Sequence, residues 1–193
     1  MPTLYIVAGP PGVGKTTSTS LFIDQRIFVE NSDVTAIALK SQGEDNYQEI
    51  AFEQLRQKAE KNCQSSIDFG IELNLGCQIP HYSYARYWQN KYRYDLDVTL
   101  FFTDNSSICL ERAALRQKAG GHRVAESVIL DMHAQTIPLL RKNIQLINHL
   151  QFVNVTDEGV ELVYSGYYPT GFHEFINPIL PDWVTKNFPE IRQ

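Results

Sequence analysis

The segment GPPGVGKT, which begins at Gly9, matches the pattern GxxxxGK[ST] and lies between an apolar stretch and helix-forming residues. Gly9, Gly12 and Gly14 permit backbone torsions that turn successive N–H groups toward phosphate oxygens. Lys15 can reach the β- and γ-phosphates of a nucleotide, and the Thr16 hydroxyl suits Mg²⁺. This context favours a phosphate cradle over a glycine-rich turn without a ligand. ATP and Mg²⁺ are the predicted cofactors, with Thr16 as the metal-binding residue. The loop residues predicted to bind ATP are Gly9, Pro10, Pro11, Gly12, Val13, Gly14, Lys15, Thr16 and Thr17.

Donor-rich side chains surround a glycine break in the segment RAALRQKAGGHRVAES. Arg112 and Arg116 are four residues apart, so they share one helix face near its C-terminal end. Guanidinium groups match the oxygens of a phosphoryl group in transfer, and Gly120 and Gly121 would let the segment close over a nucleotide. Cations at a helix C-terminus also offset the helix dipole by ~0.3–1 kcal/mol each, which explains Arg116 but not the GGHR that follows. We predict that Arg112, Arg116 and Arg123 contact the phosphates.

Polar side chains follow two of the predicted strands. In an open parallel sheet, ligands bind beyond the carboxyl ends of the strands. Asp33 ends the segment 26–33, where its carboxylate could accept a proton from an attacking hydroxyl or orient Mg²⁺ through water. The alternative is a helix cap or an exposed loop acid. Glu72 and Asn74 follow the next strand and are the predicted substrate-binding residues, with Glu72 hydrogen bonding substrate hydroxyls.

The pattern favours a kinase over a motor ATPase. A motor commonly carries an acidic pair after a strand, but here Asp104 is followed by Asn105. Asp104 is also well placed to cap the helix that follows it. The predicted catalytic residues are therefore Lys15, Asp33 and Arg116.

The elements that must position these residues alternate between apolar strands and amphipathic helices. This alternation predicts an α/β fold with three layers, in which a mostly parallel sheet is flanked by helices, as in P-loop NTPases. The end of the chain predicts a hairpin, because two strands flank the turn residues DEG. The predicted strands are 3–8, 26–33, 66–73, 98–103, 152–156 and 160–166, and the clearest predicted helices are 47–62, the segment ICLERAALRQKA and a long helix that contains Pro138.

Length and composition limit the other possibilities. The 193 residues predict a single domain, 1–193, whose tail, 167–193, packs on the core. A net charge of −5 argues against a dedicated nucleic-acid binder. Neither a signal-peptide pattern nor an apolar run of membrane-spanning length is present in the sequence. Cys63, Cys77 and Cys109 form no CxxC pair, so they predict a reducing, cytoplasmic location.

From the first strand to about residue 145, the chain resembles the zeta toxin family of P-loop kinases, which includes UDP-N-acetylglucosamine kinases. AGPPGVGKTT resembles AGPxGxGKST, and RAALRQKAGGHRVAESVI is similar to RVxxRVxxGGHxVPExxI. The latter match implies phosphate binding by Arg116 and Arg112. ENSD is similar to the family's NAD segment, which makes Asp33 the implied general base. FGIELNL resembles FxxET, which makes Glu72 the implied sugar-binding carboxylate, with Asn74 beside it.

Three positions depart from the family pattern. Met132 stands where the family's IxxRY segment has an arginine, Ala125 replaces the proline of VPE, and Asn74 replaces the threonine region. The acceptor implied by the resemblance is a UDP-N-acetylsugar. A kinase for another hydroxyl, such as an antibiotic or a polynucleotide end, stays open. So does a nucleotide-dependent binding module of a toxin–antitoxin pair, with a small antitoxin-type partner and little transfer activity.

Overall fold

The computed structural model describes residues 1–121 and 123–192, so His122 of the GGHR segment lies outside the described residues. Seven strands and seven α-helices are described along these ranges. The strands are β1 Thr3–Ala8, β2 Val29–Glu30, β3 Phe69–Glu72, β4 Asp95–Phe102, β5 His149–Val155, β6 Val160–Tyr167 and β7 Phe172–Ile176. The helices are α1 Lys15–Ser18, α2 Ser32–Ser41, α3 Tyr47–Gln64, α4 Ser83–Tyr92, α5 Ser106–Lys118, α6 Glu126–Asn143 and α7 Asp182–Asn187.

The strands form one sheet in the order β2-β3-β1-β4-β5-β6-β7. The pairs from β2 to β5 are all parallel, whereas β5–β6 and β6–β7 are antiparallel. The predicted α/β fold with a mostly parallel sheet is confirmed, and β5 and β6 form the predicted hairpin. In the sheet, β1 lies between β3 and β4. Because β1 and β3 are parallel neighbours, their carboxyl ends lie side by side. A ligand site is expected at such an edge.

The sheet is buried on both faces. Leu4 and Ile6 of β1 belong to a larger apolar cluster that includes residues of α3, α4 and α6. Val7 points to the opposite face and joins a smaller cluster with Cys109 and Ala113 of α5. Side chains that alternate between two buried faces are what a central parallel strand between helical layers requires. The three-layer prediction is confirmed.

The second predicted strand is shorter than the segment 26–33. Only Val29–Glu30 pairs with β3, and Ser32 already begins α2, which was not predicted. The physical reason is a capping interaction, since the Asn31 side chain accepts a hydrogen bond from the Asp33 N–H (2.7 Å). Strand β3 is also shorter than 66–73, because it begins at Phe69 and leaves Ile67 half exposed.

Asp104 does not cap α5 as the sequence predicted. Asn105 is the cap, accepting a hydrogen bond from the Ser107 N–H (3.1 Å). The Asp104 carboxylate instead accepts one from the N–H of Trp183 in the first turn of α7 (3.2 Å). Trp183 and Phe188 are buried in the larger apolar cluster. The tail adds a further element that was not predicted, the antiparallel strand β7.

Within the two described ranges, no helix combines the length and the apolar character that crossing a membrane requires.

Candidate nucleotide-binding site

The glycine loop between β1 and α1 lies against neighbouring backbone. Gly9, Gly12 and Gly14 have φ values of +135°, +82° and +102°, which residues with a side chain rarely adopt. A Cβ atom at Gly9 would lie 2.2 Å from the carbonyl oxygen of Phe101, and one at Gly12 would lie 2.1 Å from that of Cys109. The loop can therefore hold this position only with glycine at these points.

Six of the nine predicted loop residues line a cavity of about 680 Å³. Gly9, Pro10 and Val13 do not line the cavity. Their carbonyl oxygens accept hydrogen bonds from side chains that do, namely Lys15 for Gly9 and Pro10, and Arg112 for Val13. Helix α1 is a single turn, continued by a 3₁₀ turn at Thr19–Leu21. A helix this short has only a small dipole. We therefore expect the backbone N–H groups of the loop and Lys15 to supply most of the attraction for phosphate anions. The loop residues lining the cavity are Pro11, Gly12, Gly14, Lys15, Thr16 and Thr17.

Lys15 is buried at the base of the loop, although its side chain carries a charge. Its ammonium donates hydrogen bonds to the carbonyl oxygens of Gly9 (2.8 Å) and Pro10 (3.1 Å) and to Oδ1 of Asn74 (2.9 Å). Burial lowers the pKa of Lys15, and the carboxylates of Glu72 and Asp33 oppose this shift. A phosphate anion in the cavity would act in the same direction as those carboxylates and favour the charged ammonium.

Glu72 and Asn74, the predicted substrate-binding residues, both contact the loop. The register that pairs Val7 with Glu72 aligns the ends of β1 and β3, and the Gly9 N–H donates to the Asn74 carbonyl (3.2 Å). Glu72 Oε2 accepts hydrogen bonds from the Thr16 hydroxyl (3.0 Å) and from the Asn31 amide. Glu72 therefore sits beside the hydroxyl predicted to bind Mg²⁺.

These side chains fit a magnesium ion. The Thr16 hydroxyl and the Glu72 carboxylate provide hard oxygen ligands 3.0 Å apart at the edge of the cavity. Among the described residues, no group of three or more His, Cys, Asp or Glu side chains forms a metal site. Mg²⁺ in phosphate-binding sites characteristically retains waters and phosphate oxygens as ligands, so a small protein contribution suits it.

Asp33 lies in the first turn of α2 and lines the cavity. Because Asn31 caps the helix, the Asp33 carboxylate is not used as the cap. Its Oδ2 atom instead lies 3.3 Å from Nη1 of Arg116. The side chains of both residues are roughly two-fifths exposed, so this pair contributes little to stability. The carboxylate is thus accessible from the cavity and held near a guanidinium.

Arg112 and Arg116 do different things despite sharing a helix face. Arg112 donates to the carbonyl oxygens of Val13 (3.1 Å) and Thr156 (3.0 Å), so it fixes the glycine loop to the β5–β6 turn. The Arg116 side chain bonds only to Asp33 among the described partners, and its Nε is buried without a hydrogen-bond partner. Of the two, Arg116 has more guanidinium donors without a protein partner, because Arg112 uses two of its five N–H groups and Arg116 uses one.

The glycine loop and the arginine segment face the same cavity. Arg112 and Arg116 line it from α5, and Arg123 lines it from the segment before α6. The structure therefore brings together the predicted phosphate-binding and catalytic side chains around one space.

Sequence reasoning missed two side chains at this site. Asn31 bonds to both Glu72 and Thr16, and the available signal was its cap position in ENSD. His81, which belongs to none of the sequence motifs, lines a smaller pocket that shares Asp33 and Glu72 with the cavity. Met132 occupies the cavity wall, with its sulfur 3.8 Å from the Asn74 amide nitrogen.

Comparisons with known proteins give structural neighbours only. No protein-family model matches the sequence, and no curated protein matches it. A structure from the PezAT chromosomal toxin–antitoxin system of Streptococcus pneumoniae aligns over 100% of this chain and 84% of its own, at 15% identity and a TM-score of 0.64. The AvrRxo1-ORF1:AvrRxo1-ORF2 complex with sulphate ions aligns over 97% of this chain and 63% of its own, at 14% identity and a TM-score of 0.72.

The same AvrRxo1 complex with ATP aligns over 86% of this chain and 59% of its own, at 14% identity and a TM-score of 0.64. The chain thus spans about three-fifths of the AvrRxo1 chain that it matches. At these identities the likeness establishes the fold and not the activity. The protein shares the α/β fold of these neighbours, which agrees with the fold implied by the resemblance of its motifs to the zeta toxin family.

Proposed function

We propose that the protein transfers the terminal phosphoryl group of ATP to a hydroxyl group of a small molecule. The observation that carries this proposal is the placement of Asp33 and Arg116 on the same cavity as the glycine loop. A phosphate-binding loop alone would fit hydrolysis as well as transfer. A carboxylate beside a guanidinium, on the cavity that the loop also lines, suits an acceptor hydroxyl and a phosphoryl group in transfer.

In this proposal the loop N–H groups and Lys15 bind the phosphates, and Arg116 hydrogen-bonds the oxygens of the transferred group. The acceptor oxygen forms a bond to the γ-phosphorus while the bond from that phosphorus to the β–γ bridging oxygen breaks. The acceptor proton passes to the Asp33 carboxylate, and ADP is released. Mg²⁺, bound by Thr16 and the phosphates, would neutralise charge on the phosphate oxygens.

The ATP-bound AvrRxo1 neighbour supports nucleotide binding by this fold. The zeta toxin resemblance suggests a UDP-N-acetylsugar as one acceptor. A cytoplasmic location belongs to the same proposal, because Cys63, Cys77 and Cys109 are all free thiols.

A second candidate function is a nucleotide-dependent binding module that works with a small antitoxin-type protein. This alternative is favoured by Met132, which lines the cavity. The family pattern has an arginine at this position, and a methionine side chain cannot bind phosphate in its place. Two of the neighbours come from toxin–antitoxin or two-protein complexes. Tight binding of nucleotide without transfer to any acceptor would favour this alternative.

The proposal is tested with the full chain, γ-labelled ATP, Mg²⁺ and a panel of hydroxyl compounds, alongside calorimetry with the non-hydrolysable analogue AMP-PNP. We expect magnesium-dependent nucleotide binding and acceptor-dependent transfer. Lys15→Met should remove both, whereas Lys186→Met, which removes an exposed lysine paired with Asp182 on α7, should remove neither. A wild-type chain that takes up no nucleotide would rule the proposal out.

A further inference from the structure

A smaller pocket of about 190 Å³ adjoins the nucleotide cavity. It shares Asp33 and Glu72 with the larger cavity, so it lies next to the proposed catalytic carboxylate. Its wall also includes residues of α2, Gln48, Ala51 and Phe52 of α3, Leu73 and Asn74 after β3, and His81 in the irregular turn Gln78–Tyr82. A molecule bound there would meet both the Asp33 carboxylate and an apolar surface.

His81 is the unexplained residue of this pocket. It is 9% exposed, and its Nδ1 atom is buried without a hydrogen-bond partner in the described part of the chain. Burial, aided by the positive charge of Lys15, lowers the pKa of His81 to about 4. The ring is therefore neutral at pH 7, with one nitrogen that donates and one that accepts. Buried polar atoms are rarely left unpaired, so a ligand hydroxyl is a natural partner for this ring.

The charge and the size of the pocket limit what it can hold. Among its described lining residues are two carboxylates, Asp33 and Glu72, and no lysine or arginine. Phosphate groups are characteristically bound by guanidinium, ammonium or clustered N–H donors, so a diphosphate is disfavoured here. Pockets for drug-sized ligands have volumes of about 300–1,000 Å³, and this pocket is smaller. Carboxylates and amides beside Phe52 suit hydroxyl groups on one side of a ligand and its C–H face on the other.

We propose that this pocket binds the phosphoryl acceptor as a small uncharged polyol of monosaccharide size, with His81 hydrogen bonding one hydroxyl and Phe52 packing against the carbon face. This inference rests on the proposed function, because it assigns the acceptor to the same carboxylate, Asp33. It differs from the resemblance-based expectation of a UDP-N-acetylsugar, whose nucleotide diphosphate would find no cation in this pocket.

The experiment compares uncharged acceptors with charged ones. The uncharged probes are D-glucose, N-acetyl-D-glucosamine, myo-inositol and glycerol, and the charged probes are UDP-N-acetylglucosamine and glucose 6-phosphate. Transfer is measured with labelled ATP, and binding is measured separately by saturation-transfer NMR in the presence of Mg²⁺ and AMP-PNP. We expect binding of, and transfer to, at least one uncharged probe in preference to both charged ones.

Variants of His81 test its contact with the acceptor. His81→Phe keeps an aromatic ring but removes both hydrogen-bonding atoms, so it should raise the acceptor KM by about tenfold, the effect of one lost hydrogen bond. The KM for ATP should not change. His81→Asn places an amide near the Nδ1 position and should restore most of the acceptor affinity. His173→Phe is the control, because His173 lies on β7 and contacts Tyr164 instead.

The outcomes separate the two proposals. Preference for UDP-N-acetylglucosamine, or an acceptor KM that His81→Phe leaves unchanged, would overturn the polyol pocket and leave phosphoryl transfer standing. Binding of AMP-PNP without saturation transfer to any uncharged probe would also overturn it. Failure to bind AMP-PNP would instead refute the proposed function itself.

Discussion

Nη1 of Arg116 lies 3.3 Å from Oδ2 of Asp33, which joins the C-terminal part of α5 to the first turn of α2 across the cavity. The guanidinium and the carboxylate thus form an ion pair that faces the cavity. Entry of a phosphoryl group between them would give the guanidinium a stronger anionic partner and release the carboxylate for the acceptor hydroxyl. The buried, unpaired Nε of Arg116 provides a further donor for that exchange.

We predict that Arg116→Ala lowers kcat by ~10³–10⁵, because an arginine acting on the transferred phosphoryl group typically has an effect of that size. Nucleotide affinity should change little, since the loop and Lys15 remain. Labelled-ATP assays and calorimetry measure the two quantities. Arg26→Ala is the matched control, because Arg26 forms an exposed ion pair with Asp24. Turnover of Arg116→Ala equal to that of Arg26→Ala would defeat the assignment.

Asp33→Asn should lower phosphoryl transfer at saturating ATP by ~10²–10⁴, the usual contribution of a general base. The amide retains the size of the side chain, and Asn31 still caps α2, so the fold should be preserved. Single-turnover rates measure the effect. Asp24→Asn makes the same chemical change at an exposed pair and should leave the rate unaltered. Near-normal transfer by Asp33→Asn would remove Asp33 as the base.

The glycine loop could be predicted because its signal is local. All the residues of the motif lie within the eight consecutive positions from Gly9 to Thr16. The role of Arg112 could not be predicted in the same way. It bonds to the Val13 carbonyl, 99 residues away in sequence, and only the fold makes that contact. Helix spacing placed Arg112 and Arg116 on one face, but it could not show that the first braces the loop and the second faces Asp33.

Around Asn31 the sequence carries two conflicting local signals, one for a strand and one for the start of a helix. The apolar residues before Asn31 predict a strand that continues to Asp33, whereas Asn31 caps a helix that already begins at Ser32. The helix forms in the structure, and the strand is limited to Val29–Glu30, the two residues that pair with β3. Contacts of Glu72 with Thr16, and of Asn74 with Lys15, likewise depend on the register between β1 and β3. Such register is a property of the folded sheet.

Gly12→Ala should abolish nucleotide binding, because the new methyl group would lie 2.1 Å from the Cys109 carbonyl oxygen and would displace the loop from α5. Gly43→Ala is a close control. Gly43 has a similar φ of +86°, yet nothing lies within 4 Å of an added Cβ. The control should lose only the ~1–2 kcal/mol cost of a left-handed conformation and keep its affinity for AMP-PNP. Calorimetry and chemical denaturation of both variants make the comparison, and equal nucleotide affinities would contradict it.

His149 should make stability depend on pH. Its ring lies between Asp97 of β4 (Nδ1···Oδ2, 2.9 Å) and Glu174 of β7 (Nε2···Oε2, 3.0 Å), and Nε2 also contacts the Ser165 hydroxyl of β6. Burial alone would lower the pKa of His149, but the two carboxylates outweigh burial and raise it above 6.5. The protonated ring therefore stabilises the folded protein fully below pH 6.5. That contribution disappears as the pH rises through the higher, folded-state pKa.

We accordingly expect His149→Gln to reduce the free energy of unfolding more at pH 6 than at pH 9. The pH-dependent part of the difference should be on the order of 1 kcal/mol for each unit by which the folded pKa exceeds the unfolded one. Urea unfolding of the wild type and the variant at both pH values measures it. His173→Gln, which removes a ring bonded to the Tyr164 hydroxyl, is the control. A destabilisation by His149→Gln that is equal at both pH values, or larger at pH 9, would show that the carboxylates do not hold a charged imidazole between β4 and β7.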